Sequence, residues 1–164
     1  MAERWANTET RRLLNPLFTA AVITRAVEGY NEVAATGFPL AFGYLVGPLV
    51  LHAPTRHVLP QSLATRLMPW TEKYGEIIAT LPKRVAEFAP FTSKGILAAL
   101  TVGLTELSSD ASLTSRDGML LKKYSSGSGS REVEAILKKS NFVGKWLAAA
   151  GTPATVFTAF GVKI

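Results

Sequence analysis

The apolar positions of this chain recur every three or four residues over long stretches, which predicts a mainly α protein, a compact helical domain. The first helix begins at Asn15-Pro16, because asparagine is a good N-cap and proline suits the first helical turn. Its apolar stripe ends before Gly37. The next run, residues 40–51, is apolar all round and predicts a helix buried in the core, which Pro48 kinks or ends.

The middle of the chain predicts shorter helices separated by turns. The proline-rich stretch that follows the apolar run predicts a turn and then a short helix from about Gln61. Residues 71–88 predict one or two amphipathic helices, and Pro90 is expected to end them. Thr92 or Ser93 then caps the next helix.

Alternation of apolar and polar residues replaces helical spacing after Gly103. Residues 104–107 and 112–114 alternate on either side of a turn at 108–110, which predicts one small β-hairpin. A helix followed at once by a hairpin is the order found in winged-helix domains. The domain is therefore either winged-helix-like or a helical domain with an added hairpin.

The end of the chain predicts a loop and two helices. Residues 115–130 contain the run SSGSGS, whose composition predicts a flexible loop. A long helix with one apolar face follows from about Arg131 to Ala150. Gly151 ends that helix, and Pro153 opens a short terminal one.

Length and composition define the class of protein. The 164 residues fit a single domain, which we place at 15–164 after a polar N-terminal segment at 1–14. The chain has no cysteine, which excludes disulfides, thiolate zinc sites and cysteine nucleophiles. The N-terminus has no secretory signal, and glycines and prolines interrupt the apolar run that could span a membrane. We therefore expect a cytoplasmic protein with no membrane contact.

The net charge of +6 is concentrated at one end. Residues 1–115 carry ten Lys or Arg against nine Asp or Glu, whereas residues 116–164 carry eight against three. On the last helix, basic residues seven positions apart drift by only about 40° and form one stripe on the face opposite the apolar one. Such a stripe suits a DNA backbone or an acidic protein surface, and a solvated helix face gives the same pattern. The candidate contacts are Lys122, Lys123, Arg131, Lys138, Lys139 and Lys145.

Few residues are placed to carry catalysis. His52 and His57 lie five apart, not the four that a zinc pair on one helix requires, so capping or packing is the favoured interpretation. Glu72 and Glu76 are four apart on a possible helix, a spacing that a solvated face also gives. No phosphate-binding loop and no nucleophile elbow is present. We therefore predict no catalytic residue, no metal and no cofactor.

Three segments resemble a known family. They are NPLFTAAVITRAVEGY near the N-terminus, GFPLAFGYLVGPLVLHAPTRHVLP in the centre, and FVGKWLAAAGTPATVFTAFGVKI at the C-terminus. Together they resemble the middle component of bacterial three-component ABC systems, the group that includes the Lamassu defence systems. The specific parts are the P-T-R turn and the F-V-G-K-W…G-T-P-A-T ending. The motif positions are Pro54, Thr55, Arg56, Gly144, Lys145, Trp146 and Pro153.

The resemblance implies a non-catalytic subunit that bridges two larger proteins in antiviral defence. One is an ATPase related to SMC proteins or Rad50, on whose heads the subunit docks. The other is an effector, often a nuclease. In such a complex the basic stripe would contact the DNA backbone or an acidic surface of a partner. The alternative is a stand-alone winged-helix regulator, which would read base edges and bind DNA sequence-specifically. A small hydrolase that uses His52 or His57 is the third hypothesis.

Overall fold

The computed structural model describes residues 15–116, 121 and 130–163, of which about 70% are helical. The mainly α prediction is confirmed. The predicted segment 1–14 and most of the predicted loop 115–130 lie outside the described residues. The described part contains eight α-helices, one 3-10 turn and a small antiparallel sheet around one apolar core. The α-helices are α1 (Pro16–Val33), α2 (Gly43–Val50), α3 (Ala53–Val58), α4 (Leu67–Lys73), α5 (Gly75–Ala79), α6 (Leu81–Thr101), α7 (Arg131–Ala150) and α8 (Pro153–Ala159).

Helix α1 is the central helix of the fold. Asn15 caps it as predicted, because its Oδ1 accepts a hydrogen bond of 2.9 Å from the Leu17 N–H, and Pro16 occupies the first turn. Every residue from 18 to 24 is buried, so α1 is covered on all sides at this level. The helices that cover it are α2, α6 and α7.

Glycines bring α1 into backbone contact with its neighbours. A Cβ atom on Gly29 would lie 2.0 Å from the carbonyl oxygen of Asn141, and one on Gly144 would lie 1.9 Å from that of Ala26. Gly95 of α6 is similarly close to α1. Real Cβ atoms cannot approach so closely, so only glycine permits these crossings.

Helix α2 is the apolar helix that the sequence predicts for the core. Leu45, Val46 and Leu49 are fully buried. Pro48 lies inside the helix, which ends two residues later at Val50. None of the described helices combines the length and the apolar character that a membrane span requires.

Helix α6 corrects the prediction that Pro90 ends a helix. The helix continues through Pro90, and neither Thr92 nor Ser93 acts as an N-cap. A proline inside a helix costs one backbone hydrogen bond, but here the helical segments before and after Pro90 are both held by packing against other helices. Phe88 before the proline contacts α2, and Gly95 after it contacts α1.

The region after α2 also differs from its prediction. Residues 54–56, expected as a turn, belong to the short helix α3, whose N-cap is His52. Histidine is not among the preferred N-caps, which is why the sequence pattern concealed this helix. Conversely, the helix expected from Gln61 is absent: residues 61–66 form turns and bends, and α4 begins at Leu67.

The predicted hairpin is present as β2 (Thr105–Leu107) and β3 (Ser112–Ser115). A third strand, β1 (Phe38–Pro39), pairs antiparallel with β3, so the strand order is β1-β3-β2. A strand of two residues ending in proline leaves no alternation to detect, so the sequence predicts only the end of the first helix there.

The two C-terminal helices agree with their predictions. Helix α7 runs from Arg131 to Ala150, and Gly151 follows it with φ 113°, a conformation that favours glycine. Helix α8 has Thr152 as N-cap and Pro153 in its first turn. The ends of the two C-terminal helices are thus determined by local signals that are visible in the sequence.

Candidate functional site

The basic face of α7 consists of Arg131, Lys138, Lys139 and Lys145. Arg131 and Lys138 are exposed, and they lie on one side because seven residues make nearly two helical turns. Among the described residues neither forms an ion pair. Lys122 and Lys123, the other two predicted contacts, fall outside the described residues.

Lys139 lies at the border between the basic face and the core. Its Nζ donates a hydrogen bond of 3.2 Å to the Pro60 carbonyl and sits 5.4 Å from the centre of the Phe142 ring. Burial, and then the neighbouring charge of Lys138, lower the pKa of Lys139. An anion placed beside these two lysines would relieve their mutual repulsion.

Lys145 is engaged within the fold. Its Nζ lies 2.7 Å from Oε2 of Glu32 on α1, and its side chain is 31% exposed. The hydrogen bond from Lys145, opposed by burial and assisted by Asn141, lowers the pKa of Glu32. The predicted stripe therefore contains two cations without an ion pair to any described residue and one, Lys145, that pairs with Glu32 of α1. Its contact with DNA or an acidic surface stays a prediction.

Arg56, the last residue of the P-T-R motif, holds two helices together. It is only 8% exposed. Its Nη1 donates to the Val50 carbonyl at 2.6 Å, and its Nη2 lies 3.3 Å from Oε1 of Glu132. The guanidinium thus provides a hydrogen-bond donor for a carbonyl at the C-terminal end of α2 and links this end to the first turn of α7.

Arg84 has the same role at the same helix end, and no pattern in the sequence indicates it. Its guanidinium donates to the carbonyls of Pro48 and Ile77. Burial lowers the pKa of Arg84. Two arginines, Arg56 and Arg84, therefore cap the negative end of the apolar helix α2.

The two histidines serve different purposes. Nδ1 of His52 lies 2.7 Å from Oγ1 of the buried Thr55 and accepts a 3.4 Å hydrogen bond from its N–H. This is the capping role that the sequence favours. Burial, and then the charges of Arg84 and Arg56, lower the pKa of His52. His57 is exposed.

The structure does not bring Glu72 and Glu76 together on one helix. Glu72 and Glu76 are exposed and lie on separate helices, α4 and α5, so the single helix considered for them is wrong. No group of three His, Cys, Asp or Glu side chains within residues 15–116, 121 and 130–163 is placed to hold a metal ion.

The second family motif builds the C-terminal end of α7. Nε1 of Trp146 donates a 2.8 Å hydrogen bond to the Thr65 carbonyl. Its ring meets those of Trp70 and Phe160 edge to face, at centroid distances of 5.1 and 6.5 Å. Pro153 starts α8, which packs beside this cluster. Trp146 and Gly144 are both buried, so these positions contribute to the packing of α7 in the fold.

An open apolar depression, which we name the α4–α8 groove, lies beside this cluster. It consists of two adjoining cavities of about 760 and 520 Å³ that share Met68 and Thr155. Met68 is 52% exposed and Leu63 40%, although both are apolar. Arg66 lines one cavity and Glu72 the other. The groove therefore combines exposed apolar side chains with one basic residue in one cavity and one acidic residue in the other.

Neither the groove nor Arg84 could be found from the sequence, because both depend on segments far apart in the chain. The contact between Lys139 and Phe142 could have been predicted from the sequence, since the two residues lie three positions apart on the same helix. For Lys145 no such signal existed, because its partner Glu32 is on another helix.

The chain is similar to a known family over nearly its whole length. The family model described as ABC-three component (ABC-3C) system Middle Component 3 matches residues 4–164. No curated protein and no solved structure matches the chain. The family match includes the basic face of α7, both motifs and the α4–α8 groove.

Proposed function

Because this chain belongs to the Middle Component 3 family of ABC-3C systems, we propose that it is a non-catalytic subunit that bridges an ATPase to an effector. The ATPase is related to SMC proteins or Rad50, and the subunit docks on its heads. The effector is a nuclease, and the assembly is a Lamassu-like antiviral defence complex. The observation that carries this proposal is the family match over residues 4–164.

Two separate surfaces support a bridging role. Arg131 and Lys138, which form no ion pair within the described part of the chain, lie in the N-terminal half of α7. Ala149 and Ala150, at the other end of the same helix, line the α4–α8 groove. At a rise of 1.5 Å per residue, Arg131 lies about 27 Å and Lys138 about 17 Å along the helix from Ala149, so the two surfaces do not overlap.

The roles of the chemically active side chains support a subunit that performs no reaction. His52 caps a helix, and Arg56 and Arg84 saturate carbonyl groups at the end of α2. Each of these groups is bound to its own chain rather than directed at a cleft. We therefore assign ATP hydrolysis and strand cleavage to the other two components.

The first test is assembly. The full chain, coexpressed with the ATPase and the effector encoded beside it, should copurify with both in a complex of defined stoichiometry. A chain that elutes alone at every salt concentration, with both other subunits folded and present, would contradict the proposal.

The second test concerns DNA. We expect the double variant Arg131→Glu/Lys138→Glu to weaken binding of the assembled complex to two unrelated duplexes equally. Removal of one phosphate contact should reduce the slope of log K against log salt by about 0.9. Fluorescence anisotropy over a salt series measures this, and Lys94→Glu, an exposed lysine on α6, is the matched control.

The same titration separates the stand-alone winged-helix regulator from a bridging subunit. A regulator reads base edges and would bind one sequence far more tightly than another. A bridging subunit that touches only phosphates binds both duplexes alike. Strong preference for one duplex by the isolated chain would favour the regulator.

A further inference from the structure

We propose that the α4–α8 groove binds an amphipathic α-helix of a partner subunit. The apolar face of that helix would cover Met68, and the helix would carry an acidic residue near Arg66 and a basic residue near Glu72. This inference rests on the proposed function for the existence of a partner subunit, and it adds the place and the chemistry of one contact.

The exposed apolar side chains of the groove are the first argument. Removing an exposed apolar side chain such as methionine or leucine from water on association is favourable. Met68 and Leu63 are both at least 40% exposed, and both line the groove. Methionine also adapts its shape to different partner side chains, which suits a binding surface.

The secondary structure of the walls selects a helix as the occupant. Met68 and Glu72 belong to α4, and Thr155 and Thr158 to α8, so the wall backbones are hydrogen-bonded within their own helices. An extended peptide would find no open strand edge there, whereas a helix satisfies its own backbone groups.

Small side chains on α8 allow that helix to approach closely. Ala154, Thr155, Thr158 and Ala159 line the groove from this side. None of them projects far, so the backbone of an incoming helix can lie near that of α8. The crossing of α1 and α7 shows the same principle within this molecule, where glycines permit backbone contact.

Charge and shape determine the chemistry of the partner. Arg66 lines one cavity of the groove and Glu72 the other, which favours a helix with an acidic and a basic residue in the complementary order. The proposed occupant is a helix with this charge pattern from a different protein, and a second copy of this chain is an outcome of the crosslinking measurement below.

The first experiment uses the complete complex. Met68→Asp and Ala154→Arg place a charge in the groove and should weaken binding of one of the two other subunits at least about tenfold. Leu97→Asp is the control, since Leu97 is 64% exposed on α6 and lines none of the described cavities. Circular dichroism verifies the fold of each variant. Retention of both subunits by both groove variants would overturn the inference.

The second experiment exploits the absence of cysteine. Thr158→Cys and Leu97→Cys each give a chain with one thiol, whose rate of reaction with a maleimide can be measured with and without the other subunits. We expect the complex to slow the reaction at position 158 and to leave it unchanged at position 97. Equal rates at position 158 in the free and the assembled chain would overturn the inference.

The third measurement identifies the occupant. A photocrosslinker attached at position 158, followed by mass spectrometry, should capture a helical segment with apolar residues at positions i, i+3 or i+4, and i+7. Capture of a second copy of this chain, or of an extended segment, would overturn the inference.

The failure of this inference differs from the failure of the proposed function. If the wild-type chain binds neither subunit, the proposed function fails and the groove assignment fails with it. If the wild-type complex forms and the groove variants assemble equally well, only the groove assignment fails.

Discussion

At the scale of single residues, one hydrogen bond distinguishes two buried threonines. Thr55 and Thr92 are both fully buried. Oγ1 of Thr55 lies 2.7 Å from Nδ1 of His52, whereas Oγ1 of Thr92 has no hydrogen-bond partner among the described residues. A buried hydroxyl without a partner costs about 1–3 kcal/mol, so the two sites respond in opposite ways to the loss of the oxygen.

We expect Thr92→Val to raise the free energy of unfolding by about 1 kcal/mol, because valine has a similar shape and loses no hydrogen bond. Thr55→Val should lower it by a similar amount, since it removes the partner of His52. Urea denaturation followed by circular dichroism measures both. Equal destabilisation by the two variants would show that the Thr92 hydroxyl is satisfied.

The pKa of His52 predicts a dependence of stability on pH. The unfolded chain binds a proton at His52 near pH 6.5, whereas the folded protein, whose His52 pKa is lowered, does so only at a lower pH. Below about pH 6.5 the unfolded state therefore binds more protons, and the free energy of unfolding falls as the pH falls through this window. Denaturation at about pH 7.5 and about pH 5.5 measures the loss.

The control for this prediction is His52→Asn. Asparagine is a good N-cap and accepts the hydrogen bond from Thr55, but it does not titrate. The variant should lose less stability than the wild type over the same pH range. An identical loss in both proteins would assign the pH dependence to other groups.

At the scale of helices, the crossing of α1 and α7 depends on the absence of a side chain at Gly144. We expect Gly144→Ala to lower the free energy of unfolding by about 2–3 kcal/mol, because the new Cβ meets the backbone of α1 and the helices must separate. Thermal and urea denaturation measure the effect.

Gly75 provides the matched control. It lies at the start of α5, its φ is not positive, and a Cβ there would meet no atom within 4 Å. Gly75→Ala should raise the free energy of unfolding by about 0.4–1 kcal/mol, because alanine restricts the unfolded chain. A loss at position 75 similar to that at position 144 would indicate a general intolerance of alanine rather than a close crossing.

The helices that the sequence predicted correctly have strong local signals at their ends. Asn15-Pro16 begins α1, and Gly151 followed by Pro153 separates α7 from α8. The predictions that failed concern positions where tertiary contacts override the local sequence signal. Packing of Phe88 holds α6 together across Pro90, where the local signal indicates an end.

The candidate site was only partly open to prediction, for a similar reason. The basic residues of α7 are visible as a pattern along one helix, and the exposure of Arg131 and Lys138 fits that pattern. The pairing of Lys145 with Glu32 joins two helices remote in the chain, so no spacing reveals it. The α4–α8 groove likewise exists only after α4, α7 and α8 have come together.

At the scale of the whole molecule, the basic face of α7 and the α4–α8 groove should act independently. Changes at separated sites that share no partner usually have additive effects. We expect Arg131→Glu/Lys138→Glu to weaken DNA binding without releasing a subunit, and Met68→Asp to release a subunit without changing the salt slope of DNA binding. Their combination should show the sum of both effects in free energy. A large deviation from additivity would place the two surfaces in one interface.

The continuity of α7 has a geometric consequence. The helix is unbroken from Arg131 to Ala150, and its crossing with α1 is too close to allow sliding. On the proposed function, the length of α7 from Arg131 to Ala149, about 27 Å, sets the distance between the two proposed contacts. The number of residues in α7 would then determine the distance between the partners that bind at its two ends.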